Sequence, residues 1–473
     1  MTDRISKAVM VSVALVLFLP ILIYAAYARP ILFNATNVGA LAALECLIAA
    51  ICLYRKVFFP LVMISFLFAG SNLPVGGMWI AGRWVALAVG AVVGSLIMLK
   101  QRGHRFSQFH AFAMFAILAA TVSAAVSHYQ NFAILKVLSL FLLFLYAGTG
   151  ARLAVSGREN RFFQGLLTAC EIFVGGMTVS YGVGVEAMGN PNSLGAVMGV
   201  VAAPILLWGS LLEEGSFAQR RRQALYLLSM ILVFYSHSRA GMGAAFLSSA
   251  VLCLALRQFK LLGKGVVILL IIVASSAIFA PETFSRTVSD LTSSVIYKGR
   301  DEGIFASRKT PWGGVMQSIH NHFWFGSGFG TTDTGQDASA QLDKYGGFAT
   351  PEGVTSENGS SYLSILSWVG VLGVVPFALL ILTLLGKIIQ SVLWMLRTAN
   401  PVHPAVPLAI VLLAGLIHAV FEDWLFAVGY YLCVFFWSFA FVLVDVAPNV
   451  SFPRFTEKWA PARRVWGSVA QSR

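Results

Sequence analysis

A few residues stand where an apolar chain would not ordinarily put them. In "FYSHSRAGMGAAF", Arg239 follows Ser236, His237 and Ser238 in a short connection between two apolar segments. A guanidinium held at the mouth of a cavity binds anions; the alternative role is a residue that snorkels to the membrane surface. A second arginine, Arg308, stands near the start of "SRKTPWGGVMQSIHNHFWFG". Thr310 there is a candidate N-cap and Pro311 a first helical residue. Trp312, Val315, Met316, Ile319 and Phe323 recur at three-and-four spacing. That pattern predicts a short amphipathic helix lying on the membrane or on the top of a bundle. Arg308 then comes just before the helix N-terminus, where backbone amides and the helix dipole favour a phosphate.

Other chemistry-bearing stretches follow. "GSGFGTT" (326–332) either exposes its amides as an oxyanion nest or makes a plain glycine turn, and it lacks the lysine of a P-loop. In "TSENGSSYLSILSWVGVLG", Glu357 and Asn358 precede an apolar segment. A carboxylate at such a boundary loses solvation and can act as a general base; the alternative is a solvated loop glutamate. His320 and His322 lie two residues apart, with only scattered carboxylates (Asp333, Asp337, Asp343, Glu352) nearby, so no metal site and no cofactor is expected. "HAVFEDWLF" places Glu422 and Asp423 in a short turn after His418, where they complement the arginines or cap the turn.

The elements that must position these residues are membrane helices. The 473-residue chain is 58% hydrophobic and 11% charged, with a mean hydropathy of +0.78. A bilayer crossing takes about 20 apolar residues, and about fourteen segments come close to that. They are 8–28, 37–54, 57–71, 79–98, 109–127, 132–150, 163–183, 194–212, 223–237, 240–256, 264–280, 361–386, 405–420 and 425–445. The runs are continuous and do not alternate, which predicts an all-α polytopic membrane bundle of about 12–14 helices rather than a barrel. The net charge of +13 is spread over short loops with no basic face, so nucleic acid is not an expected partner.

With both termini cytoplasmic, most lysines and arginines fall on the inner side. Residues 281–358 then form one long outer-face loop containing short helices, between a bundle over 1–280 and the remaining helices and basic tail over 359–473. Long loops of this kind carry function. The five cysteines all lie in spans and predict no disulfide framework. "AYA" before Arg29 resembles a signal-peptidase site, but the apolar core ahead of it is long, and a retained first helix is expected. Glu45, Arg83, Lys136 and Glu171 lie within spans and read either as functional charges or as buried structural pairs such as Glu45 with Arg83; the structural reading is favoured.

The order of these motifs, over roughly residues 190–385, resembles the O-antigen ligase and Wzy-type polymerase superfamily of bacterial envelope glycosyltransferases, especially its exopolysaccharide-polymerase branch. The resemblance implies a metal-independent, inverting C-type glycosyl transfer from an undecaprenyl-diphosphate-linked glycan on the outer face of the inner membrane. It implies that Arg239 and Arg308, the latter with Trp312 and the Gly326–Gly330 turn, neutralise the diphosphate leaving group. Family members commonly carry a His-Asn pair where this chain has Glu357-Asn358. Acceptor activation then falls to Glu357, to His320 or His322, or to no side-chain base, and Glu357 is the preferred assignment. Asn190 and Asn192 in "MGNPNSLGAVMG" look like the family's outer turn and either bind sugar hydroxyls or, as preferred, cap a helix. The expected partners are lipid-linked glycans, membrane lipid, a chain-length regulator and export proteins. A ligase acting on lipid A-core is the sibling reading, and a secondary transporter or a non-catalytic envelope scaffold are the competing classes.

Overall fold

The computed structural model describes residues 47–72, 76–100, 106–188, 190–212, 215–265, 267, 274–275, 306–333, 354–355 and 358–448. The predicted span 8–28, most of 264–280 and part of 37–54 lie outside them, as do Glu45, most of the loop 281–358 and the residues after 448. The chain divides into two units, Met1–Phe58 and Phe59–Arg473. Residues 54–58 of the first are helical, and the rings of Tyr54 and Phe58 stack 4.8 Å apart. The second unit carries Arg239, Arg308 and the other candidate site residues.

The chain is a bundle of apolar helices. In order they are α1 (Tyr54–Ala69), α2 (Gly76–Lys100), α3 (Gln108–Val126), α4 (Gln130–Val155), α5 (Glu159–Gly182), α6 (Pro191–Ser210), α7 (Phe217–Tyr235) and α8 (Arg239–Ala255). After α9 (Ala306–Asn321) come two short antiparallel strands, β1 (Thr332–Asp333) and β2 (Val354–Thr355). Helices α10 (Ser361–Thr398), α11 (Ala405–His418) and α12 (Tyr431–Val446) follow. Among the described residues, six helices are long and apolar enough to cross a membrane, and α8, α11 and α12 are shorter apolar helices. This is a multi-pass membrane protein. Each of the eleven helices other than α9 overlaps a segment expected from hydropathy.

Helix α6 is buried from Ser193 to Ser210, between α5, α7, α8 and α11. Its apolar surround explains why it shows no polar stripe: a helix buried all round is hydrophobic all round. Helices α4 and α6 each contain a wide π turn, Ala147–Ala151 and Met198–Ala202. The first packs against α12, where Gly148 meets Phe441.

Side-chain ties sort the helix ends into two sets. At one end, Arg152 pairs with Asp445 (Nη2 to Oδ1, 2.8 Å) and reaches His110 at 3.0 Å. Arg222 and Arg221 pair with Glu171 at 3.0 and 2.7 Å, Arg257 donates to the Leu396 carbonyl, and Trp208 donates to that of Pro401. At the other end lie residues 127–129, Asn190, 236–238, 322–331, 358–360 and 419–430. These are the basic end and the loop end.

The charges expected inside spans are accounted for locally. Glu171 belongs to the ion pairs of the basic end. Arg83, 3% exposed, donates to the Gly429 carbonyl at 2.9 Å and lies over the rings of Trp84 and Phe66 at 5.2 and 5.7 Å. Lys136 packs its stem beneath Gly330, with its ammonium 5.0 Å from the Phe132 ring.

Candidate functional site

The loop end is assembled from three junctions. The first is the α7–α8 turn. Ser238 caps α8, its hydroxyl accepting from the Gly241 amide, while the Ser236 hydroxyl accepts from the Ser238 amide. His237 between them adopts a left-handed φ of 51° and is exposed. Both serines press on α6: a Cβ on Gly195 would lie 2.3 Å from the Ser238 Cβ. One turn along, a Cβ on Gly199 would lie 2.4 Å from the Gly241 carbonyl oxygen. The "GAVMG" spacing of α6 thus brings two backbones into contact, as small residues do between membrane helices. Arg239, the first residue of α8, is half-buried on this support. Gly241 makes this close approach and Ala244 is buried, whereas Gly243 faces open space.

Asn190 caps α6 by accepting from the Asn192 amide at 2.9 Å, with Pro191 at the first helical position, so the preferred capping role holds for it. Asn192 is half-buried in the same turn. The turn after α11 reaches this point too. Tyr431 donates to the Ser193 carbonyl at 2.7 Å, and Tyr430 to the Ser193 hydroxyl.

The second junction joins the start of α10 to the α11–α12 turn. The Ser361 hydroxyl donates to the Glu422 carbonyl and accepts from the amides of Trp424 and Leu425. The Ser361 amide reaches the Ala419 carbonyl at 3.0 Å, and the Asn358 amide reaches Asp423 Oδ2 at 3.4 Å. Asn358 and His418 are both buried, and His418 Nδ1 accepts from the Trp424 indole at 2.8 Å. Since an indole only donates, Nδ1 carries no proton, and a neutral His418 holds its proton on Nε2. Trp312 of α9 donates to the Gly359 carbonyl at 3.4 Å and so joins the same cluster. Helix α8 packs along α11, and Arg257 beyond its far end meets Leu396, so the Arg239 and His418 ends lie at the same level.

The third junction is the glycine-rich segment, which is neither an oxyanion nest nor a free turn. Helix α10 breaks at Gly370, whose φ of 67° and ψ of −177° lie in a region essentially reserved for glycine. The break releases two carbonyls and two amides that a continuous helix would pair. Ser327 and Gly328 amides bond the Ser367 and Trp368 carbonyls, and the Val371 and Leu372 amides bond the carbonyls of Phe323 and Trp324. Ser123 also donates to the Trp368 carbonyl, and Ser127 to that of Ser327. Inside a membrane protein such accounting is compulsory, because hydrocarbon offers no partners. Gly326, Gly328 and Gly330 have φ of 75°, 118° and 75° and press on Trp368, Ser127 and Lys136. The glycines therefore permit backbone contact with the broken helix, and the amides of 326–328 are already used.

The remaining expectations fare as follows. Helix α9 starts at Ala306, so Pro311 is inside it and Arg308 lies in its first turn rather than before it. Non-capping Thr310 simply continues the helix. The Arg308 side chain and all of Glu357 lie outside the described residues. His320 and His322 are exposed at the far end of α9; His320 is eight residues, about 12 Å along the axis, from Trp312. The structure thus brings Trp312 to Asn358, and Arg239 to the Asn190–Ser193 turn, but leaves the two histidines apart from the second junction. His418, Asp423 and Ser361 are the residues that sequence reasoning did not single out as a site. The only sequence signal was the cluster of charges in "HAVFEDW".

Polar groups of opposite character therefore converge at the loop end: an arginine at a helix start, and a carboxylate, an amide and a tautomer-fixed imidazole around the entry to α10. Such a set can hold an anionic leaving group on one side and hydroxyl-bearing groups on the other. Residues 224–378 match the family model described as O-antigen ligase. No curated protein matches the chain. The matched segment runs from α7 through Arg239, α9 and the glycine-rich segment past the break in α10, and members of this family are glycosyltransferase-like enzymes. Over residues 224–378 the chain is thus similar to the O-antigen ligase family, and this match supports a relation to the O-antigen ligase/Wzy superfamily.

Proposed function

We propose that the protein polymerises undecaprenyl-diphosphate-linked repeat units of an exopolysaccharide or O-antigen at its loop end, which faces outward across the inner membrane. The observation that carries this reading is that the family segment contains the motifs in order and that their described residues meet at one end of the bundle. The growing chain on its lipid diphosphate is the donor, and the non-reducing end of a new lipid-linked unit is the acceptor. The acceptor hydroxyl attacks the donor's anomeric carbon in a single in-line displacement that breaks the bond to the lipid diphosphate and inverts the centre, while Arg239, with Arg308, neutralises the departing diphosphate in place of a metal. Asn358 and Trp312 orient the glycan, and Glu357, next to Asn358 in sequence, takes the acceptor proton.

The sibling reading is transfer of the finished glycan to lipid A-core. "ENGSSYL" in place of the family's His-Asn pair favours the polymerase. Mass spectrometry of lipid-linked glycans in cells lacking the protein separates the two. A polymerase defect leaves single-repeat products; a ligase defect leaves long polymer stranded on the carrier lipid. Unaltered lipid-linked glycans would overturn both.

A further inference from the structure

The tip between α9 and the glycine-rich segment, "FWF" at 323–325, is exposed although it is wholly aromatic. Phe323, Trp324 and Phe325 are 47%, 59% and 47% exposed, and Met316, about two turns back, is 58% exposed. The opposite side of α9 is spoken for: Val315 and Ser318 are buried, and Ser318 accepts from the Ser367 hydroxyl of α10. The amphipathic face expected for α9 is therefore split, one part against the bundle and one part turned outward.

The height of this tip follows from its bonds. Phe323 and Trp324 bond the amides of Val371 and Leu372. Those amides are ten and eleven residues into α10, about 15 Å below its start. The residues of α10 above that level, Ser361–Val371, are buried or half-buried, and the outward apolar stripe begins at Leu372 and continues through Val375, Leu379, Leu382 and Ile389 to Leu396. From Leu372 to Leu396 the stripe is about 36 Å long, close to the roughly 30 Å hydrocarbon core of a bilayer. On the neighbouring helix α3, Val126 is also exposed beside Ser127, which bonds Ser327. Two helices thus place the edge of the lipid-facing surface at the level of the aromatic tip. Trp and Phe without any charge, at such an edge, are what the boundary between hydrocarbon and headgroups selects.

We propose that Met316, Phe323, Trp324 and Phe325 form a membrane-inserted edge whose partner is the lipid of the leaflet on the loop side. It anchors α9 at a fixed height, and Trp312 at the other half of that helix then meets the 358–360 turn in register. The site borders lipid directly, on the side where the tip inserts.

The test uses the full-length protein in nanodiscs of phosphatidylethanolamine and phosphatidylglycerol. An NBD fluorophore is attached at W324C, and in a second sample at N400C, in a chain whose five native cysteines are replaced. At 324, nitroxide carried near the top of the lipid acyl chain should quench at least threefold more than aqueous iodide, and at 400 the order should reverse. Quenching at 324 by iodide as strong as at 400, or by neither agent, overturns the proposal, the second outcome meaning that protein covers the tip. Should the cysteine-free chain fail to fold, a photoactivatable phospholipid is crosslinked to the wild-type protein instead. Label on the peptide containing 316–325 supports the insertion, and its absence there, with label present on the 372–396 region, refutes it. Neither readout involves glycan transfer, so an inserted but inactive protein would overturn the functional reading alone.

Discussion

Replacing Gly370 by alanine should unseat the glycine-rich segment from the broken helix. The backbone at Gly370 adopts φ 67° and ψ −177°, and holding a residue with a side chain in such a region costs about 1–3 kcal/mol. Its new Cβ would also lie 2.4 Å from the Trp324 oxygen and 2.6 Å from the Gly326 nitrogen, both backbone atoms that no rotamer change can move. Relief requires the tip to retreat by nearly 1 Å, on the scale of ordinary contact distances. The bonds at 2.9 and 3.3 Å from Val371 and Leu372 would then open, at about 0.5–1.5 kcal/mol each. The sum is roughly 2–6 kcal/mol, which converts to about a thirtyfold to twenty-thousandfold faster hydrogen exchange at those amides. Exchange mass spectrometry of the purified protein, followed in a peptide covering 368–375, reads this out. Gly313→Ala is the control, because its Cβ meets nothing within 4 Å and alanine favours a helix. Exchange within threefold of wild type in Gly370→Ala, with unchanged thermal stability, would refute the account of the break.

Three further outcomes are expected. Gly199→Val inserts bulk against the Gly241 carbonyl 2.4 Å from the added Cβ, and should lower stability by at least about 1–3 kcal/mol in thermal unfolding; an unchanged midpoint would show that α6 and α8 can part freely. Arg152→Ala strips the partner from Asp445 and His110, a loss below the usual ~3–5 kcal/mol for a buried pair because Asp445 is about a third exposed; Asp445→Asn added to it should recover part of the loss, and no recovery would contradict the pairing. His403, in the connection between α10 and α11, packs its ring at a tilt against Trp394 and accepts from the Ala405 amide. Burial holds its pKa below the ordinary value. The unfolded chain therefore takes up the proton first, so this stabilisation is complete above about pH 6.5 and is lost as pH falls below it. Thermal midpoints between pH 8 and 5 should fall less steeply in His403→Asn than in wild type, and parallel slopes would refute the assignment.

The helices were legible because hydrocarbon imposes a length and a composition that few other environments require, and α2 to α8 and α10 to α12 each overlap a predicted span. The cap at Asn190 was legible for a similar reason, since it rests on local backbone chemistry. The break at Gly370 was not. A glycine in an apolar run reads equally as a packing residue, and only the partner carbonyls and amides some forty residues upstream reveal it as a discontinuity. The same distance hid the role of "GSGFG", which reads as an oxyanion nest or a plain glycine turn until the amides of 326–328 are seen to be occupied. The start of α9 was misplaced by giving Pro311 its favoured position at a helix start, when five preceding residues continue the helix. His418 was named beside Glu422 and Asp423, but its role was not legible because it depends on Trp424 and on the docking of 358–361, neither of which leaves a periodic signal.

The central claim is that a glycosyl-transfer site lies at the loop end with Arg239 at its anionic pole. Its most direct test is elongation of a lipid-diphosphate-linked repeat unit by the purified full-length protein in a bilayer, wild type against Arg239→Ala and Arg239→Lys, with Gly313→Ala as the folded control. Removing a group that stabilises charge in the transition state typically costs about 10²–10³ in rate. The account predicts a loss of that size in Arg239→Ala, partial activity in Arg239→Lys and a normal rate in the control; elongation by Arg239→Ala at the full wild-type rate would contradict it.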